Sequence, residues 1–291
     1  MTDSMVYWAW MTLGLYPNSC RVWKVLRDMV FPDVVYEAIA NGDNPGFSEY
    51  ELRKLKAVNL SQAEYLLETC HKRNINVYCP YDEAYPRNLL EIDVPPTLLF
   101  TYGRLENVSF TPSIAMIGSR EADDYAMCCA DILSYELAQK GLTVISGFAR
   151  GIDSAAHNAA LRAGGQTVAV LGCGLEYDYP RNSSKFKERI AENGVVISEY
   201  MPNARPDPGN FKVRNRIVSG VSNGVAVICA GKRSGTLNTV SHAVAQGKDV
   251  FVLPPHDIFS GSYDGNIGLL RDGATPIYAA KDIFNNLNSD L

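Results

Sequence analysis

The chain has 291 residues, 46% hydrophobic and 20% charged, which leaves room for one large domain plus a small one and excludes a disordered or low-complexity chain. No apolar run approaches the roughly 18 residues of a membrane span, and the opening MTDSMVYWAW lacks the basic n-region of a signal peptide, so a cytoplasmic protein is expected. The formal net charge of −5 argues against a polyanionic partner only weakly, because binding follows local potential and not the sum.

Helix-like spacing runs over Tyr7–Leu13 and Val22–Val30, with breaks at Tyr16-Pro17 and Phe31-Pro32; Asn41-Gly42 and Asn44-Pro45-Gly46 mark turns. Helices over Ser48–Lys56 and Ser61–Arg73 follow, the second opened by Ser61 as N-cap with Glu64 three residues on. Together these predict a small all-helical domain over residues 1–75. A connector over 76–112, rich in proline and aromatics, carries a short strand at Leu98–Tyr102.

From Ser113 the pattern alternates between strand and helix. Strands are expected at Ile114–Ile117, Thr143–Ser146, Thr167–Leu171, Val195–Ser198, Gly224–Cys229 and Asp249–Leu253. Helices are expected at Asp123–Lys140, Asp153–Ala163, Ser183–Asn193, Asn215–Val221 and Leu237–Gln246. Short apolar strands without alternation are buried on both faces, as in a parallel sheet covered by helices. The fold class is therefore α/β: an extended Rossmann-like, doubly wound, mostly parallel sheet over 113–285, with 286–291 a tail.

In such a sheet ligands sit outside the carboxyl ends of the strands, so the residues after each strand form one constellation. They are Gly118-Ser119-Arg120; Ser146-Gly147 with Arg150-Gly151 and Asp153; Gly172 and Gly174; Glu199 with the stretch Gly209-Asn210-Phe211-Lys212-Val213-Arg214-Asn215-Arg216; and Arg233-Ser234-Gly235-Thr236. Glycines admit a close ligand, helix N-termini attract anions, hydroxyls bond phosphate oxygens and arginines add bidentate charge. Charge is concentrated in the same place. Residues 205–235 hold Arg205, Lys212, Arg214, Arg216, Lys232 and Arg233 against Asp207 alone, while residues 1–100 carry nine Lys/Arg against thirteen Asp/Glu.

The dinucleotide fingerprint fails, because Tyr177 stands where a third glycine would follow Gly172 and Gly174, and no GxxxxGK[ST] stretch is present. No Cys/His cluster has metal-ligand spacing, and the seven cysteines, with no CxxC pair, read as reduced thiols. No metal, cofactor or catalytic residue is expected. An extended polyanion suits this constellation better than one nucleotide, and Phe211 and Tyr200 are placed to stack on unpaired bases.

Four segments, SGFARGIDSAAHNAAL, AVLGCGLEYDYPRN, ISEYMPNARPDPGNFKVRNRIVSG and RSGTLNTVSHAVAQGKDVF, with the connector YPRNLLEIDVPPTLLFTYG, resemble the DNA-processing protein A family (DprA, also called Smf) over roughly residues 80–280. The resemblance implies single-stranded DNA bound in a basic pocket. It further implies dimerisation, RecA loading in natural transformation, and no catalytic activity. It points to Gly118, Ser119, Arg120, Ser146, Gly147, Arg150, Gly151, Asp153, Gly209, Asn210, Phe211, Arg214, Asn215, Arg216, Ser234, Gly235 and Thr236; Lys212 and Arg233 join them on charge. Three departures stand out. The sequence ends at Leu291, so the C-terminal winged helix of many members is expected to be absent. Pro254-Pro255-His256 replaces a Pro-Gly, and Asn266 falls one place early, which puts the 254–268 loop in doubt.

Blander roles are set beside these. Asp153 and His157, four apart on a helix, read as structural, with Asp153 capping the helix or orienting Arg150. Arg216 either joins the strand site or pairs with Asp153 or Glu199, and Gly172 and Gly174 either approach the ligand or serve a tight turn. Trp8, Trp10 and Trp23 read as core. The competing function is a nucleotide-processing or nucleotide-sensing protein on the same fold, but AGKRSGTLNT lacks the paired glycines and the acid of a phosphoribohydrolase.

Overall fold

A computed structural model describes residues 3–15 and 20–288, which form two compact units. The first holds residues 1–85 and 93–100, the second 86–92 and 101–291. The helical unit therefore extends beyond the expected boundary at 75, and the 76–112 segment is shared between the units.

In the first unit α1 (Asp3–Leu15), α2 (Cys20–Met29), α3 (Pro32–Ala40), α4 (Glu49–Lys56) and α5 (Leu60–Lys72) are followed by β1 (Asn76–Tyr78). Helix α3 was not anticipated: Phe31-Pro32 reads as a break, yet proline at the first helical position starts a helix. The start of α5 also differs, since Asn59 and not Ser61 is the N-cap. Its carboxamide accepts from the Gln62 amide at 2.9 Å while Gln62 returns a bond to the Asn59 amide at 3.0 Å. Trp8 and Trp10 are core, as expected, and the Trp10 indole donates to Leu55 O and Val58 O. Residues 93–100 are tied to this unit by distant side chains: Trp23 donates to Pro95 O, Tyr85 to Pro96 O, and the Thr12 and Thr97 hydroxyls share a bond.

Strand β2 (Leu99–Tyr102) leads into the second unit. There the chain runs β3 (Ser113–Gly118), α6 (Asp124–Gln139), β4 (Thr143–Ser146), α7 (Ile152–Arg162), β5 (Thr167–Val170), α8 (Ser184–Asn193), β6 (Gly194–Ser198), α9 (Pro208–Gly220), β7 (Gly224–Cys229), α10 (Thr236–Ala245), β8 (Asp249–Val252), α11 (Asp264–Arg271), β9 (Thr275–Pro276) and α12 (Ala280–Asn288). Strands β3 to β9 lie in the order β6-β5-β4-β3-β7-β8-β9 and pair in parallel, with Ile114 opposite Val144 on one side and Gly224 on the other. The unit is a Rossmann-like α/β domain. Strands β3 to β7 are buried along almost their whole length, which accounts for their apolar runs.

The chain winds outward from β3 to β6, then α9 carries it back to β7 on the far side of β3. The order of strands thus reverses at β3, and a crevice opens there. Helix α9 starts seven residues before the expected Asn215. Asp207 caps it through the Gly209 amide at 2.8 Å and Pro208 occupies its first turn, so the basic stretch is helical and not a loop. Helix α12 includes residues 286–288 of the expected tail, with Leu287 buried in the core; 289–291 lie outside the described residues. The altered 254–268 loop is well secured. Asn266, fully buried, accepts from the Ala230 amide and donates to Ile228 O and Leu253 O, which joins the ends of β7 and β8.

Candidate functional site

A groove lies at the reversal point, in two lobes of about 590 and 610 Å³. The first is built from Gly118 at the end of β3 with Ser119 and Arg120 after it, Gly147 and Asp153 after β4, Ser234, Gly235 and Thr236 after β7, and Phe211, Lys212, Arg214 and Asn215 on α9. The return helix thus hangs its side chains over the gap between strands that diverge in sequence. The second lobe shares Arg120, Gly147, Phe211 and Arg214 and adds Arg150 and Gly172 from the expected set.

Arg214 forms the floor. Its guanidinium is buried and donates to Gly147 O and Val170 O, and its Nε donates to Asn215 Oδ1 at 3.2 Å. A Cβ at Gly147 would stand 2.8 Å from the guanidinium, so glycine is required for this seat. Burial pulls the Arg214 pKa down, and the neighbouring Asp153 opposes that pull. An arginine remains cationic regardless. Burial raises the Asp153 pKa against the opposing charge of Arg214, and its carboxylate accepts from the Ala149 amide at 3.1 Å. The expected service of Asp153 to Arg150 is not what the structure shows.

Above the floor stands Phe211. The Arg120 and Arg214 guanidiniums lie 5.7 and 5.9 Å from its ring centroid. A Cβ at Gly172 would approach the ring to 2.5 Å, so this glycine seats Phe211 and does more than turn the chain. Gly174 instead packs under the loop, its amide bonded to Ala204 O. The helix N-termini of α7 and α10 also open here, where Ser234 bonds Thr236.

Other expected residues lie outside the lobes. The Ser146 hydroxyl is buried and donates to Met116 O at 2.6 Å. Gly151 (φ +76°) leads into α7, Gly209 is taken up in capping α9, and Arg233 is exposed. Asn210 offers its carbonyl to the Tyr200 hydroxyl at 3.0 Å; Tyr200 is wholly buried, so it cannot stack on a base. Of the two roles weighed for Arg216, the structure shows the architectural one, since both its terminal nitrogens donate to Glu199, at 2.7 and 2.6 Å, with both residues buried. It lines neither lobe, and its place in the strand site is withdrawn.

His157 is also architectural. Thr167 donates its hydroxyl proton to Val144 O, so it accepts from His157 Nδ1 at 2.7 Å. Burial, with Arg214 nearby, drives the imidazole pKa down to about 3. Tyr179, Glu121 and, in the second lobe, Tyr177, Asp178 and Arg181 were not anticipated. Glu121 directly follows Arg120 in the turn after β3; the others follow β5, and the strand-end rule extended through DYPRN would have reached them. No cluster of three or more His, Cys, Asp and Glu suited to a metal ion occurs among the described residues, and none of their helices is long and apolar enough to cross a membrane.

Comparison with known proteins gives one consistent direction. The model for DNA recombination-mediator protein A matches residues 76–288. Protein Smf of Synechocystis sp. is 35% identical over 256 residues, covering 86% of this chain, which spans 64% of that relative's length. DNA processing protein DprA of Bacillus subtilis is 34% identical over 222 residues, 76% of this chain and 74% of its own. Among solved structures, DNA processing protein A from Streptococcus pneumoniae superposes with a TM-score of 0.81 at 30% identity, covering 98% of both chains. DNA processing protein A from Helicobacter pylori, studied for its single-stranded DNA binding mode, gives 0.66 at 30% identity over 74% of this chain and 96% of its own.

Proposed function

The chain belongs to the DNA recombination-mediator protein A family, and from that premise we propose that it binds single-stranded DNA in the groove at the β3 reversal. In this reading it is a cytoplasmic homodimer that protects incoming strands and helps load RecA onto them in natural transformation and recombination. It alters no covalent bond. Asp153 and His157, the titratable pair of α7, are both occupied in holding the fold.

One observation carries the reading. Arg120 and Lys212 line the groove without a salt bridge among the described residues, beside an accessible aromatic ring that Arg120 and Arg214 flank. Unpaired cations suit phosphates, and a ring between them suits an unstacked base. The single-stranded DNA binding studied for the Helicobacter pylori relative supports the same choice of ligand. Fluorescence anisotropy with a labelled oligo-dT tests it. Arg120→Glu is expected to weaken binding about 100-fold while the melting temperature stays within about 2 °C, as for an exposed residue. Parental affinity in this variant would refute the site.

A further inference from the structure

We propose that the second lobe is a nucleotide subsite of its own, so that a bound strand crosses Phe211 and sets its next nucleotide against Tyr179, Arg150 and Arg181. This rests on the reading of the groove as a single-strand site and specifies how much strand it holds.

Continuity is the first support. The lobes share Phe211 and both flanking arginines, and each has the volume of a small-ligand pocket, about 300–1,000 Å³. The second is a platform at the junction. The Tyr179 and Phe211 rings lie 5.2 Å apart at 39°, and the Tyr179 hydroxyl has no hydrogen bond among the described residues. Such a pair offers π-surface on both sides of the divide, which every base can use.

Charge is the third. Arg150 and Arg181 are exposed and form no salt bridge among the described residues. The carboxylate this lobe adds, Asp178, is turned to its own loop. It accepts from the Asn182 and Ser183 amides at 2.8 and 2.9 Å, and these bonds hold its pKa low. The loop that presents Tyr179 is braced from beneath, where the buried Lys187 ammonium donates to Leu175 O at 3.0 Å and Tyr177 O at 2.6 Å. A built loop with unpaired cations and a free ring fits a phosphate and its base better than a solvated surface.

The test is anisotropy with oligo-dT of about 12 nucleotides, within the usual site size of single-strand grooves. Parent, Tyr179→Ala, Tyr179→Phe, Arg181→Glu and Arg120→Glu are compared on the full chain, each checked by thermal unfolding. Tyr179→Ala and Arg181→Glu are each expected to weaken binding about tenfold, Tyr179→Phe to bind like the parent, and Arg181→Glu to lower the salt slope by about 0.7. Should Tyr179→Ala fail to fold, the exposed Arg181→Glu still decides. Parental affinity and slope in Arg181→Glu, with binding lost in Arg120→Glu, would overturn the second subsite and leave the strand reading standing. Parental binding in Arg120→Glu would instead bring down that reading, and this proposal with it.

Discussion

The groove at the carboxyl ends of β3–β5 and the flank where α9 meets the end of β6 draw on the same run of sequence, Gly209–Arg216, and treat its charges differently. On the flank, Arg216 meets Glu199 in a buried bidentate pair. In the groove, Lys212 has no carboxylate partner among the described residues, and Arg214 is held by carbonyl oxygens, with Asp153 nearby but no salt bridge between them. A helix divides its residues between two surroundings, so a basic run is a site only on the side where its cations are left without a salt bridge. The aromatics divide in the same way: Phe211 lines the groove, while Tyr200 is sealed in the core.

The largest effect that would sharpen this contrast belongs to the flank. Arg216→Ala leaves Glu199 buried without its partner, a loss of about 3–5 kcal/mol and a melting temperature lower by about 10 °C. Thermal unfolding checks it, and a variant as stable as the parent would remove the distinction between the two arginines. Next comes Phe211→Ala, expected to lower oligo-dT affinity by about 1–3 kcal/mol through lost stacking. Unchanged affinity would mean the ring serves packing alone.

The interior predicts a pH dependence of stability, centred on His157. The folded-state pKa of His157, about 3, lies below the ordinary imidazole value of 6.5, so the unfolded chain takes up a proton first as pH falls. Stability contributed by neutral His157 is complete above about pH 6.5 and declines below it, by about 1.4 kcal/mol per pH unit at most, until the folded pKa is reached. Denaturant unfolding at pH 7 and pH 5 is expected to show the decline in the parent and a flatter profile in His157→Gln; equal slopes would contradict it. The smallest effect is Tyr200→Phe, about 1 kcal/mol of stability from the bond to Asn210 O, with strand affinity unchanged.

How much of this was legible in sequence follows from the range of each interaction. Strands β3–β7 announce themselves because burial on both faces favours apolar residues at most positions, and the glycine-rich turns after them follow from the doubly wound rule. Gly209-Asn210 concealed the start of α9, because neither favours a helix and the decisive contact is a cap from Asp207. The reach of the first unit to residue 100 was hidden for another reason. Trp23 to Pro95 and Tyr85 to Pro96 are single side-chain bonds to distant carbonyls, which leave no periodic trace. The partner of Arg216 was named among two candidates, yet only the geometry could choose Glu199 over Asp153.

The claim that unpaired groove cations hold the phosphates is tested most directly by the salt dependence of oligo-dT binding in the parent and in Arg120→Ala. For a single strand, log K falls with log salt at about 0.7 per phosphate neutralised, so the variant is expected to bind more weakly with a slope shallower by about 0.7. Identical affinity and slope in the two proteins would contradict the account, because the phosphates would then be bound elsewhere.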